Sequence, residues 1–145
     1  MSEGPKLVKA IRDALLADSD VTDGLSTFDF GGASEQAAIF DRQPIPRDAD
    51  LPAVAVDLAA GGNWGTRGYR GAEMVVDVQI WGEKGTSRAG LRDTAWAIFR
   101  CLDRATLALT GYTEVGVQAR PPRTSPDPDG FPGYLLEVSI RILEQ

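Results

Sequence analysis

Residues 80–91 read IWGEKGTSRAGL: the end of a strand, a glycine-flanked turn holding Lys84 and Thr86-Ser87, and the start of a helix. Strand, Gly-Lys turn and helix is also the order of a phosphate-binding loop, whose backbone amides and lysine cradle phosphate oxygens. The spacing excludes that chemistry. Counting from Gly82, the second glycine of G-x-x-x-x-G-K-[ST] would fall at position 87, which is Ser87, and Lys84 precedes Gly85 where it should follow a glycine. G-x-G-x-x-G fails as well. The entering strand alternates with Glu73, Asp77 and Gln79, whereas the central strand of a parallel phosphate-binding sheet is apolar almost throughout. A corner accounts for every residue: Gly82 and Gly85 permit the turn, and Thr86 or Ser87 caps the first helical amides.

Other reactive side chains are sparse. The chain has no histidine and one cysteine, Cys101. That removes Cys/His zinc sites, Ser-His-Asp and Cys-His nucleophile systems, and any intramolecular disulfide. Cys101 lies among helical apolar positions and is expected to be a small buried hydrophobe. Asp18, Asp20, Asp23, Asp48 and Asp50 stand in turn-like stretches, where Asx hydrogen bonding explains them. The DPDG at 127–130 resembles part of a calcium loop, but the EF-hand ligand spacing and terminal Glu are missing. No carboxylate pair declares itself as an acid–base couple. No catalytic, cofactor-binding or metal-binding residue is expected.

At 145 residues the chain suits one domain with its own core, here taken as 1–145. With 43% hydrophobic and 25% charged residues it has the composition of a globular protein. The net charge of −6 is uneven: residues 1–57 hold five basic and eleven acidic side chains, and the remainder holds ten of each. An acidic chain without a basic stripe is poorly suited to gripping duplex phosphates. The N-terminal MSEGPKLVKAI lacks the apolar core of a signal peptide, and no run has membrane-spanning length. A soluble protein made in a reducing cytoplasm is expected, with no membrane partner.

The elements follow from periodicity. Leu7, Val8, Ile11, Leu15 and Leu16 recur at helical spacing and predict a helix over 5–17, with Pro5 in its first turn. DSDVTDG ends it, and residues 24–36 read as loop. Ile39 and Phe40 begin an edge strand that Pro44 and Pro46 stop. Residues 52–58 form a second strand, with Val54 and Val56 on one face. Met74, Val76, Val78 and Ile80 alternate with Glu73, Val75, Asp77, Gln79 and Trp81, which marks a half-buried antiparallel strand. Leu91, Ala95, Ile98, Phe99 and Leu102 predict a helix over 88–104. A strand over 114–120, an irregular proline-rich loop over 121–132 and a final strand over 133–143 complete the chain. The order α-β-β-β-α-β-β implies an α+β fold, a mixed, mostly antiparallel sheet of four to five strands packed by two helices.

Between the second and third strands lies AAGGNWGTRGYRGAE, with five glycines between 61 and 71. It is too long for a tight hairpin and too glycine-rich for a helix, so a mobile or extended hairpin arm fits it best. It carries Trp64, Arg67, Tyr69 and Arg70, the residue types that dominate protein interfaces. Two readings stay open here: the aromatics meet a partner, or they fold back over the sheet.

Taken together, the N-terminal helix, IFDRQPIPRDADLPAVAVD and EMVVDVQIWGEKGTSRAGLRDTAWAIFRCLD resemble the tail-completion or tail-terminator family of long-tailed phages. The matching positions are Ile39 and Phe40, then Leu51, Pro52 and Val54, then Val76, Val78, Ile80 and Trp81, and the helix from Arg88 to Leu102. The likeness spans about residues 7–143, and its motifs are structural. It implies a ring, usually a homohexamer, at the head-proximal end of the tail tube. Such a ring ends tube polymerisation and then meets the head-side connector, while DNA passes through its lumen without specific binding. The implied location is the head–tail junction of the virion, after assembly in the host cytoplasm. The family offers no catalytic residue or cofactor to carry over. Within this reading Trp64, Arg67, Tyr69 and Arg70 are expected to contact a neighbouring subunit or the tube.

Three alternatives stand beside this reading, the first of the same structural class and the other two of different classes. One is a head-closure or neck joining protein, although such proteins tend toward small β-barrels and two helices are predicted here. Another is a small carboxylate-based enzyme, which would need two convergent, mutually perturbed carboxyl groups. A third is an adaptor that binds a peptide by strand addition to an open edge.

Overall fold

The computed structural model describes residues 3–31, 35–41, 45–46, 48–66, 69–84, 88–107, 112–125 and 130–144. Helix α1 (Glu3–Leu16) turns its apolar stripe inward, and Leu7, Ile11 and Leu15 are fully buried. The chain does not then simply turn. Asp18 accepts a hydrogen bond from Asp20 N at 3.0 Å and caps a one-turn helix α2 (Ser19–Thr22), which buries Val21. A lone apolar residue among five polar ones carries no readable period, so sequence pattern alone misses this turn of helix.

Residues 24–36, expected to be loop, instead contribute a small antiparallel hairpin of β1 (Thr27–Asp29) and β2 (Glu35–Ala37). Its stabilisation is tertiary. The rings of Phe28, Phe30 and Phe40 pack mutually, with centroids 5.0 to 5.3 Å apart. Arg12 reaches from α1 to place its guanidinium 4.8 Å from the Phe30 centroid, and its Nε donates to the Ile39 carbonyl at 2.6 Å.

Strand β3 (Ile39–Phe40) lies at the sheet edge as its prolines imply, paired parallel with the start of β4 (Ala53–Thr66). β4 then pairs antiparallel with β5 (Tyr69–Trp81), with one register shift between Leu58 and Ala60, up to Thr66 opposite Tyr69. The glycine-rich segment is therefore continuous with the main sheet, and the hairpin is regular on both sides of residues 67–68. β8 (Gly133–Glu144) pairs antiparallel with β5 through Gly71 opposite Leu143. Thus β8 supports most of that segment from the far side. β6 (Tyr112–Ala119) forms the other edge beside β8. The proline-rich 121–132 stretch is not wholly irregular: β7 (Arg123–Thr124) pairs with β8 opposite Leu135 and Tyr134. The principal sheet order is β3-β4-β5-β8-β6, with β7 off its end, and the fold is α+β.

Helix α3 (Arg88–Leu102) packs with α1 on one face of this sheet. Between them Val76, Val78, Ile80, Leu136, Val138, Ile140 and Ile98 are fully buried. A second, smaller cluster of Ala38, Phe40 and Ala53, joined by Phe28, Ile45, Ala49 and Leu51, covers the opposite face at the β3–β4 corner. The alternation is strict: Ile39, Val54 and Val56 enter the main core, whereas Phe40 and Ala53 enter the second. Among the described residues no helix is long and apolar enough to cross a membrane.

Candidate assembly surface

The corner that first suggests phosphate chemistry is built by packing. Gly82 N donates to the Pro132 carbonyl at 2.8 Å, which ties the end of β5 to the start of β8. A β-carbon on Gly82 would lie 2.6 Å from Leu91 Cδ1, so glycine lets α3 fold back closely onto the sheet. Residues 85–87, where Gly85 and the proposed Thr86 or Ser87 cap stand, lie outside the described residues.

Cys101 is half-buried in α3, with its Sγ 3.6 Å from the Ala14 carbonyl oxygen. Burial pushes its thiol up to about 11, and the charge and hydrogen bonding of Asp18 add to the shift. At neutral pH this is a thiol, not a nucleophilic thiolate.

Away from the β3–β4 corner, the sheet face opposite the helices is open, and pairing register assembles on it what the sequence keeps apart. Asp57 in β4 stands opposite Asp77 in β5, and Asp77 stands opposite Glu137 in β8. Three carboxylates thus cross three adjacent strands in one row, at an interstrand spacing of about 4.8 Å. Burial against neighbouring side chains raises the Asp77 carboxyl above the usual aspartate range. Glu137 and then Asp57 push it the same way, and only Arg123 opposes them. Arg123, held by the β7–β8 pairing, donates to Glu137 Oε1 at 2.7 Å. Two rows further along the same face, beyond Val75 and Ser139, Arg141 and Glu73 form a looser pair at 3.5 Å. Among the described residues no three His, Cys, Asp or Glu side chains are grouped to hold a metal ion. The row is a strip of negative potential tempered at the Glu137 end by the Arg123 guanidinium.

Three of the four expected interface residues lie at one end of the sheet. Trp64 is in β4 opposite Gly71, Tyr69 opens β5 opposite Thr66, and Arg70 follows opposite Gly65. Arg67 lies outside the described residues.

Three exposed aromatics among the described residues, Phe30, Trp96 and Phe131, carry no expectation from the sequence. Trp96 on α3 remains 39% exposed although it packs edge-to-face on Phe99, with centroids 5.4 Å apart. Its position was available in principle, since Arg92, Trp96 and Arg100 recur at intervals of four on the polar side of α3. Phe30 is 38% exposed beside Arg12. The carboxylate row had no such signal, because Asp57, Asp77 and Glu137 meet only through strand register.

A solved chain from the structure described as the virion of a native gene transfer agent particle has the same fold. The TM-score is 0.71 at 17% sequence identity, covering 98% of this chain and 96% of that one. Comparison with curated protein sequences finds no match. The model of the tail completion protein gp17 family matches residues 9–143, so the chain belongs to that family and is a structural protein of a virion tail.

Proposed function

We propose that the protein assembles into a ring, most simply a homohexamer, that caps the head-proximal end of the tail tube. The ring ends tube polymerisation and offers its other rim to the head-side connector, with DNA passing through the lumen. The protein works by assembly, not catalysis. The observation that supports this is the asymmetry of the sheet: one face is covered by α1 and α3, and the other carries the row Asp57, Asp77 and Glu137. Turned inward, that face repels phosphates, and two of its arginines, Arg123 and Arg141, are drawn toward carboxylates. Turned outward, the helical layer remains for partners.

Trp64, Arg67, Tyr69 and Arg70 in this arrangement contact a neighbouring subunit or the tube. A closed ring requires two different patches per subunit, and residues at one end of an elongated sheet can reach a neighbour. Electron microscopy of the purified protein, alone and mixed with tail tubes, tests the reading. Rings seated at one end of each tube are expected. A strictly monomeric protein at high concentration with tubes present removes the proposal. Particles that ignore tubes and seat on connectors instead favour the head-closure alternative.

A further inference from the structure

The two edges of the principal sheet are protected at one end and bare at the other. On β6, Arg104 N donates to the Val117 carbonyl at 3.0 Å, and Asp103 Oδ1 accepts from Ala119 N at 3.2 Å. The C-terminal turn of α3, with Arg104 at φ +59°, therefore occupies the outward-facing groups at the end of β6. On β4, Val54 N donates to the Ala38 carbonyl at 2.8 Å, and β3 pairs only Val54 and Ala55. From Val56 to Thr66 the outer edge of β4 pairs with no strand among the described residues. Among the described residues β6 likewise has no strand on its outer side.

Register decides which groups these edges present. The outward Val117 carbonyl fixes the alternation across the sheet, through Val117–Ile140, Ile140–Met74 and Met74–Gly61. In an antiparallel sheet each residue directs both backbone groups to one side. Gly61, Asn63 and Gly65 thus direct theirs away from β5. Val54, on the other side of the register shift between Leu58 and Ala60, is outward as well through its partner Ile80, in agreement with its bond to Ala38. The bare part of β4 contains no proline or lysine to discourage pairing, and its glycines allow close approach.

Strand direction then selects the partner. β4, β5, β8 and β6 alternate in direction, so β4 and β6 run oppositely. Rotating the subunit about an axis along the strands leaves every direction unchanged. The bare edge of β4 then meets β6 of the next copy antiparallel, continuing the pattern without a break. Both protected stretches fall at the same end, since Ala119 lies level with Leu58 through Val138 and Val76.

We propose that a second copy of this chain pairs the free end of its β6, Tyr112–Val115, with the β4 edge around Asn63–Thr66. Repeated around the axis, this makes a closed sheet with the carboxylate row inside and the helices outside. Two copies joined through β4 alone would pair isologously and stop at a dimer. The inference rests on the proposed ring and specifies its interface.

The test uses the full chain in two ways. Asn63→Pro removes one outward N–H without touching a bond to β5, so the subunit should keep its circular dichroism and melting temperature. Its association should weaken about tenfold or more. Separately, Glu114→Cys is combined in a Cys101→Ser background with Gly62→Cys, Trp64→Cys or Thr66→Cys. Within one chain Trp64 and Glu114 are three interstrand spacings apart, about 14 Å, too far for a disulfide. A covalent ladder ending at the ring size is the expected result under oxidation. Wild-type rings that persist in folded Asn63→Pro, with no ladder from any pair, overturn the interface and leave the ring standing. Single β4 cysteines that cross-link to dimers also overturn it. Wild type that forms no ring, even on tubes, removes both interface and ring.

Discussion

The indole of Trp81 lies against Gly133, its cross-strand partner in β8. A β-carbon built on Gly133 would fall 2.6 Å from Trp81 Cε3 and 3.0 Å from the Ile80 carbonyl oxygen. The tryptophan at the end of the most regular strand is therefore accommodated by a missing side chain on the next strand. Gly133→Ala should cost about 1–3 kcal/mol by overpacking, because backbone as well as ring must move. Denaturant unfolding of the variant, with Gly90→Ala as an uncrowded helical control, measures it. Equal effects of the two substitutions would refute the steric account.

Asp103 holds the end of β6 through Ala119 N. Replacing it with Ala should cost about 1–2 kcal/mol, since a backbone donor loses a charged acceptor. Asp103→Asn keeps a side-chain oxygen and should recover most of that loss. Hydrogen exchange at Ala119 is the sharper readout: it should accelerate in Asp103→Ala and stay slow in Asp103→Asn.

Asp77 gives a pH signature with a definite sign. Its folded-state pKa is raised, chiefly by burial and then by Glu137, so the native state binds its proton more tightly than the unfolded chain does. Ionised Asp77 therefore costs stability above its folded pKa, and the cost is relieved as pH falls through that value. Asp77→Asn should stabilise the protein at pH 7, by less than about 1 kcal/mol because solvent screens an open face. Melting curves of variant and wild type should converge as the pH is lowered into the carboxylate range. A gap that widens on acidification would contradict the assignment.

Cys101, its thiol pushed up to about 11, should react slowly with a disulfide reagent while the protein is folded. At neutral pH the rate should fall roughly two orders of magnitude below that of a free thiol, as its thiolate fraction does. The rate should climb as pH approaches 11, and unfolding should release one fast thiol per chain. Prompt reaction of the native protein at pH 7 would show that the thiol is neither desolvated nor raised.

Local order is what the amino-acid sequence determined by itself. Alternation from Glu73 to Trp81 and from Tyr134 to Ile142 specified two strands and their buried faces, because a pleated strand turns successive side chains to opposite sides. Helical spacing specified α1 and α3 for the analogous reason, and the lack of histidine fixed the absence of imidazole chemistry. Tertiary structure alone decided which strands are neighbours. Placing β8 between β5 and β6 brought Glu137 beside Asp77, and a hairpin with no periodicity of its own formed because Phe28 and Phe30 meet Phe40. The bare edge of β4 is decided in the same way: no residue from Val56 to Thr66 is marked as unpaired until the sheet order leaves it outermost. Periodicity is a property of a few consecutive residues. Register and edges belong to pairs of strands distant in the chain, such as β5 and β8, and the energies that select them appear only when the core closes.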